Sequence, residues 1–537
     1  MAVTEILAHL TQNNISWIVG LIAASLIYVY RTSRNTKTNP DNLPYPKGPK
    51  GVPLLGNALQ LPAANQWHQF SEWAKEFGPI TGLRVLGKNI VIVNSFDAAA
   101  ELLNKRGAIY SSRPDLPLIR DYGGWDFMLP IVPYGDAFLT QRRMLHQFFN
   151  PSATRNYHGI LTKHARSLAH DLLTQTQKFQ SLNRMYVGAT VMLLAYGYEV
   201  KGENHEWINN VENAVRSTVV LGTLGAHPID IFPILGKLPY VLFGTRFAKN
   251  MANLKQAAYD VCLSPYYIVK EKALKGETKP SILTRLMEEN TLPDGDIKDE
   301  RFISAVTAII YIGGADTTVA AIDSFAIAMM LHPDIRRQIQ KELDTLLGGE
   351  RLPTLQDRDS LPLLSATIKE TIRWKPPIPL GVPHSSTEDD IYQGSFIPKN
   401  TMVIFNAWGM CHNPQEYPDP SVFNPSRFLK EIEGKVSLRD DVCDPEEIIF
   451  GFGRRICPGQ DFALATVWIT AATLLSVYDI CLPLDETGQE ILPDLNYVTA
   501  TVSHPKPFHC RLVPRSQRMT AKLGEATSAL ADEHLIF

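Results

Sequence analysis

The chain has 537 residues, 45% hydrophobic and 20% charged, with a formal net charge of -3 at pH 7. That balance suits a globular protein with a large core, and the lack of a basic excess argues against nucleic acid as a partner. Six cysteines (Cys262, Cys411, Cys443, Cys457, Cys481, Cys510) are too few and scattered for a disulfide scaffold, and none forms the C-x-x-C pair of a structural zinc site.

Residues 1–31 read as a membrane anchor. No Asp, Glu, Lys or Arg lies between Glu5 and Arg31, and the run from Ile15 to Tyr30 is strongly apolar. A spanning helix needs roughly 17–25 residues, so this run crosses a thin bilayer, such as that of the endoplasmic reticulum, only if Thr11 to Asn14 join it. Arg31, Arg34 and Lys37 follow at once and put the rest of the chain on the cytoplasmic side. A cleaved signal peptide is the alternative, but it wants its positive charge before the apolar run and small residues at its end. The expected location is therefore the endoplasmic reticulum membrane, single-pass, with the body in the cytosol and its thiols reduced. Asn14-Ile15-Ser16 matches a glycosylation sequon that abuts the membrane.

Residues 32–56 form a basic, Pro/Gly-rich hinge, because prolines stiffen the backbone and block a helix. Residues 57–514 show no repeat or second linker and read as one mainly α body with small β-sheets. Its strand-like stretches lie near Ile80 to Asn94 and Asp390 to Phe405. Residues 515–537 are expected to be a polar, exposed or loosely helical tail.

Within the body, the segment Gly313 to Thr318 (GGADTT) interrupts a long apolar helix from Phe302 to Leu331. Adjacent glycines cost about 1 kcal/mol each in a helix interior. One reading is a second membrane span, against which Asp316 and Asp323 argue. Another is a core helix whose Thr317 bonds its own backbone. The functional reading is a groove beside a ligand, with Asp316 and Thr317 passing protons inward. Next, Glu370 and Arg373 share a helix face. They are either a solvated pair worth about 0–1 kcal/mol, or a buried pair completed by Arg427 that pins distant segments. Last, Phe450 to Gly459 reads FGFGRRICPG. Cys457 precedes Pro458 and a helical run from Asp461 to Leu475, so it sits at a helix N-terminus that favours a thiolate, with Arg454 and Arg455 nearby. A thiolate can ligate haem iron, although a lone cysteine is also a common small buried hydrophobe.

In order and spacing, GGADTT, KETIR, NPSRF and FGFGRRICPG resemble the cytochrome P-450 family from the proline hinge to about Pro514. Other wording, such as SHPKPFHCRLVPRS, is similar to monooxygenases of mushroom-forming fungi that serve secondary metabolism and detoxification. The resemblance implies the cytochrome P-450 fold and haem b (iron protoporphyrin IX), with Cys457 as axial ligand of the iron and Phe450 packed beside it. It also implies propionate contacts from Arg455, Arg142 and His384, the structural set Glu370, Arg373 and Arg427, and oxygen activation by Asp316 and Thr317. One atom of dioxygen then enters a lipophilic small molecule and the other leaves as water.

The remaining length holds no flavin or nicotinamide domain. Electrons are thus expected from a separate NADPH-cytochrome P-450 reductase, with cytochrome b5 as a further candidate, docking near Arg454. The sequence departs from the family where Phe138 and Leu139 replace a Trp-Arg pair, which implies one lost haem donor and weaker haem retention. Trp125, Ile309, Ala315, Leu380, Val382 and Thr499 are implied pocket positions. Two further readings keep the haem: an isomerase, dehydratase or peroxide-using enzyme, and a ligand carrier without turnover.

Overall fold

The structure is a computed structural model that describes residue 39 and residues 41–200, 207, 210, 228–231 and 233–529. The anchor at 1–31, Asn14 and most of residues 32–40 of the hinge lie outside the described residues.

Helix α1 (Gln66–Phe77) buries Trp67, Phe70 and Trp73 on one face and leads into strands β1 (Ile80–Val85) and β2 (Lys88–Val93). The two-residue turn between these strands has Leu86 at φ 48° and Gly87 at φ 82°. Positive φ at both positions matches the right-handed twist of a tight hairpin. Helices α2 (Asp136–Phe149), α3 (His158–Asp171), α4 (Phe179–Tyr196) and α5 (Thr245–Leu274) precede the long α6 (Glu300–Leu331). After α7 (Pro333–Leu347) and α8 (Pro362–Trp374) come strands β3 (His384–Ser385), β4 (Asp390–Tyr392), β5 (Ser395–Ile397) and β6 (Met402–Phe405).

The four-stranded sheet has the order β1-β2-β6-β3, with β2 and β6 parallel and its other pairs antiparallel. It joins residues 80–93 to residues 384–405. The remaining sheets are two-stranded.

Helix α9 (Gln460–Val477) completes the core, where it packs against α3 and α6. Helices that are apolar all round belong in the interior of a large protein or in a bilayer. Both α6 and α9 are long and apolar enough to cross a membrane, but 78% and 83% of their apolar windows are buried by the rest of the body. They are core helices here, and a second span in α6 is not needed.

The body does not stop at Pro514. Residues beyond it form α10 (Gln517–Ala529), which seats Met519 and the fully buried Leu523 in the main core. Periodic apolar residues at 519, 523 and 526 in a polar stretch give this helix its seam.

Candidate functional site

The Cys457 loop is shaped by two glycines in the left-handed region, Gly451 at φ 80° and Gly453 at φ 55°. A Cβ on Gly453 would lie 2.3 Å from the carbonyl oxygen of Leu103, so only glycine lets the loop lie against that segment. The Cys457 N–H donates to the Phe450 carbonyl at 2.7 Å and closes the loop. Helix α9 starts at Gln460 with Gly459 as N-cap, so Cys457 sits two residues before the cap.

The thiol is open to a solvent-sized probe and yet surrounded by protein, as expected at the wall of an internal space. Burial pushes it up from its ordinary value, while the Gly459 N–H and the Arg142 guanidinium pull it down. Burial prevails.

Cationic groups converge beside this loop. Arg142, half-buried, donates from Nη1 to the Ile456 carbonyl at 2.6 Å and acts on both Cys457 and Arg455. Arg455 is buried, donates to the carbonyls of Ser111 (2.7 Å), Val132 (2.8 Å) and Leu129 (3.3 Å), and lies 3.8 Å over the Phe138 ring.

Arg113, which sequence reasoning missed, is also buried and donates to the carbonyls of Val382 and Pro383 at 2.7 and 2.8 Å. Its Nε has no hydrogen-bond partner among the described residues. His384 is buried, and its Nδ1–H donates to the Tyr110 carbonyl at 2.7 Å. The Ser112–Ser385 bridge brings these two chain segments together.

Burial and the Arg455 charge drive Arg113 well below the usual guanidinium range, and burial lowers Arg455 to about 10. Burial, Arg113 and Arg455 together keep His384 neutral. No described carboxylate acts on any of the three. Buried charges are costly without a counter-charge, so this cluster fits a ligand with acidic arms, such as a haem with its propionates. An anion among them would oppose all three shifts.

Helix α6 packs across α2 and α9 and forms another wall. Its two glycines do different work. A Cβ on Gly314 would come within 3.2 Å of Val191 on α4, so this glycine permits close helix packing. A Cβ on Gly313 would meet nothing within 4 Å, and Gly313 is exposed in the middle of a buried helix. Open space therefore lies beside it. The Thr317 hydroxyl donates to the Gly313 carbonyl at 2.8 Å along that face. Asp316, mostly buried, has its Oδ1 3.0 Å from His504 Nε2.

Glu370, Arg373 and Arg427 are brought together away from this space. Arg373 grips Glu370 through Nε (2.6 Å) and Nη2 (2.9 Å), and Arg427 Nε reaches the same carboxylate at 3.1 Å. The Asn424 N–H adds a bond of 2.7 Å. Glu370 and Arg373 are fully buried, so the solvated-pair alternative does not hold.

Some expected pocket positions serve packing. The Trp125 indole donates to the Leu254 carbonyl at 3.2 Å and stacks on Phe127. Thr499 bonds Asn65 at 2.7 Å. Leu139, where the family resemblance implies a lost haem donor, is 41% exposed and lies on the outside of α2.

The family model described as Cytochrome P450 matches residues 46–510. The chain is 34% identical to cytochrome P450 monooxygenase claR of Ampulloclitocybe clavipes, over 96% of this chain and 93% of that protein. It is 34% identical to cytochrome P450 monooxygenase COX2 of Coprinopsis cinerea, over 98% of each chain. Tryptamine 4-monooxygenase of Psilocybe cyanescens is 35% identical over 94% of this chain and 98% of that protein.

Proposed function

The chain belongs to the cytochrome P450 family, and from that premise we propose that it inserts one atom of dioxygen into a lipophilic small molecule, a secondary metabolite or a xenobiotic, at the membrane of the endoplasmic reticulum. Its enzyme class is haem-thiolate monooxygenase and its cofactor is haem. Electrons come from an NADPH-dependent reductase, with cytochrome b5 as a further donor. The name of the Psilocybe cyanescens relative supports small aromatic molecules within the substrate class.

Haem supplies the redox chemistry that cleaves dioxygen, and a thiolate ligand favours that cleavage. The residues of this chain do the rest. Cys457, presented by the Gly451–Gly453 turn and tied to the Phe450 carbonyl, would hold the haem iron through its sulfur. Arg113, Arg455 and His384 would hold the propionates, and Arg142 acts on both Arg455 and the sulfur. Thr317 keeps its hydroxyl on the open face of α6 through the Gly313 carbonyl, where it accepts and passes a proton. Asp316 is the acid behind it. Glu370, Arg373 and Arg427 fix the scaffold.

The observation that carries this reading is the gathering of buried, uncompensated cations around a reachable cysteine. An acid next to a threonine at the open face favours dioxygen activation over isomerase or carrier roles, which need no proton path.

The test is an absorption difference spectrum of the reduced, carbon-monoxide-treated protein in yeast microsomes, beside Cys457→Ala. A strongly red-shifted Soret band that vanishes in the variant supports thiolate ligation. A blue-shifted band in the wild type means the thiolate is lost or protonated. No haem signal from folded protein sinks the assignment.

A further inference from the structure

Three buried polar atoms meet without a hydrogen-bond partner where α6 touches the C-terminal loop: Asp316 Oδ2 and both ring nitrogens of His504. His504 Nε2 is 3.0 Å from Asp316 Oδ1, within ion-pair distance but off hydrogen-bond alignment. Buried polar groups are nearly always satisfied, and an exception asks for a reason. The imidazole keeps 18% of its side-chain surface, although both ring nitrogens are themselves buried.

We propose that His504 is the positioning residue of Asp316 and the donor that recharges it with protons. The proposal rests on the dioxygen-activating reading above and deepens it.

Adjacent helix positions point about 100° apart. A carboxylate held by His504 is therefore turned away from the Thr317 face. The Nε2–H bond of the imidazolium breaks and an O–H bond forms on Asp316, which leaves a neutral imidazole and a neutral acid. No electrons move. This transfer removes the ion pair that held Asp316, so the acid is free to swing toward Thr317 and release its proton there. A hydronium proton from solvent then reprotonates His504, leaving water, and the pair closes again.

The surroundings suit this role. His504 also acts on Asp323, which lies two turns further along α6, and Arg184 acts on Asp323 from α4. On the loop side, Lys506 is committed to Asp494 at 2.7 Å, and the Tyr497 hydroxyl donates to Ser324 at 3.0 Å. The imidazole thus faces two carboxylates.

The test uses full-length holoenzyme with a reductase and no added organic substrate, so that dioxygen is reduced either to hydrogen peroxide or to water. Water formation needs protons delivered to the distal oxygen, and peroxide release reports their failure. His504→Gln is expected to raise the peroxide fraction several-fold. Asp316→Asn does the same, and the double variant is no worse than either, as for residues acting in one unit. His504→Arg keeps the charge but exchanges no proton near neutral pH, so its peroxide fraction stays high and is flat from about pH 5 to 8, where histidine titrates.

A readout independent of turnover is the Tm double-mutant cycle between positions 316 and 504. Coupling is expected to be larger at pH 6 than at pH 8 for the native pair, and the same at both pH values when the cycle starts from His504→Arg. The reduced, carbon-monoxide-treated spectrum checks that each variant retains its haem. A wild-type peroxide fraction in His504→Gln, or an additive double variant, overturns the proposal. Thr317→Ala separates the failures. If it raises peroxide and His504→Gln does not, only the role of His504 falls. If neither changes the fraction, dioxygen activation by the acid–threonine pair falls too.

Discussion

Two clusters of buried charge sit in one body on opposite terms. Around Glu370, two guanidiniums and a backbone N–H close on one carboxylate, and every strong charge has its partner inside the protein. Around Arg455, Arg113 and His384, two guanidiniums and a neutral imidazole face one another with backbone carbonyls as their only described hydrogen-bond partners. The first arrangement is complete and holds segments 370–373 and 424–427 together. The second has no described carboxylate to balance its charge. A closed cluster is architecture and an open one marks a ligand site, although the sequence offers the same residue types for both.

The hardest way to break this comparison is Glu370→Gln. It leaves Arg373 and Arg427 buried with a neutral partner, a loss of about 3–5 kcal/mol for a broken buried pair. Thermal melts should show a large fall in Tm, and little holoprotein should accumulate. A melt close to wild type would mean that the triad does not hold the scaffold.

Asp323 sharpens the comparison as an intermediate case, a buried carboxylate whose hydrogen bonds among the described residues come from the neutral amides of Asn183 (2.8 Å) and Gln180 (3.3 Å). Burial raises it from 3.8 to about 6 against these bonds. Because the folded pKa lies above the unfolded one, the folded state binds more protons between pH 4 and 6. Stability from this group is present below about pH 4 and is lost as pH rises through 6, on the order of 3 kcal/mol. Asp323→Asn should flatten that slope and leave the protein at least as stable as wild type at pH 7.5. A melt series from pH 4.5 to 7.5 reads both, and an unchanged slope would assign the titration elsewhere.

At the open cluster, Arg113→Met should act with the opposite selectivity to Glu370→Gln. Two hydrogen bonds are lost at about 0.5–1.5 kcal/mol each, but an uncompensated buried charge goes with them, so the apoprotein Tm should change little. Haem retention should fall by roughly 10- to 100-fold, since a charge-assisted bond is worth about 1.5–3 kcal/mol. Haem transfer to excess apomyoglobin measures it. An apoprotein as damaged as Glu370→Gln would make Arg113 a scaffold residue and erase the distinction.

The sequence made local strings legible. Gly451, Gly453 and Cys457 stand within one loop, Thr317 reaches Gly313 within one helical turn, and Glu370 shares a face with Arg373 by spacing alone. It did not show burial, so the pair at 370 and 373 stayed open between surface and core. Arg113 was missed because its neighbours are made by the Ser112–Ser385 bridge across distant chain segments. An arginine set directly before a proline was the one local hint. His504 carried no hint, since its partner lies on another element. The helix at 517–529 was underread because its polar residues outnumber the three that form its seam.

The smallest effects test the departure at positions 138 and 139. The sequence comparison with the family treats both changes as one loss, but the structure separates them. Phe138 is buried with Arg455 3.8 Å over its ring, so it provides the shelf on which that guanidinium rests. Phe138→Leu removes a cation–π contact worth about 0.5–2 kcal/mol and should loosen haem by several-fold. Leu139 is 41% exposed on the outer side of α2. Leu139→Arg adds a surface charge and should shift Tm or haem retention by no more than about 0.5 kcal/mol, or roughly twofold. If Leu139→Arg instead tightened haem by tenfold or more, the side chain would have to reach inward, and the open cluster would extend to the outer face of α2. If neither substitution mattered, Arg455 would be held by its three carbonyls alone, and the aromatic shelf would be packing without consequence for the ligand.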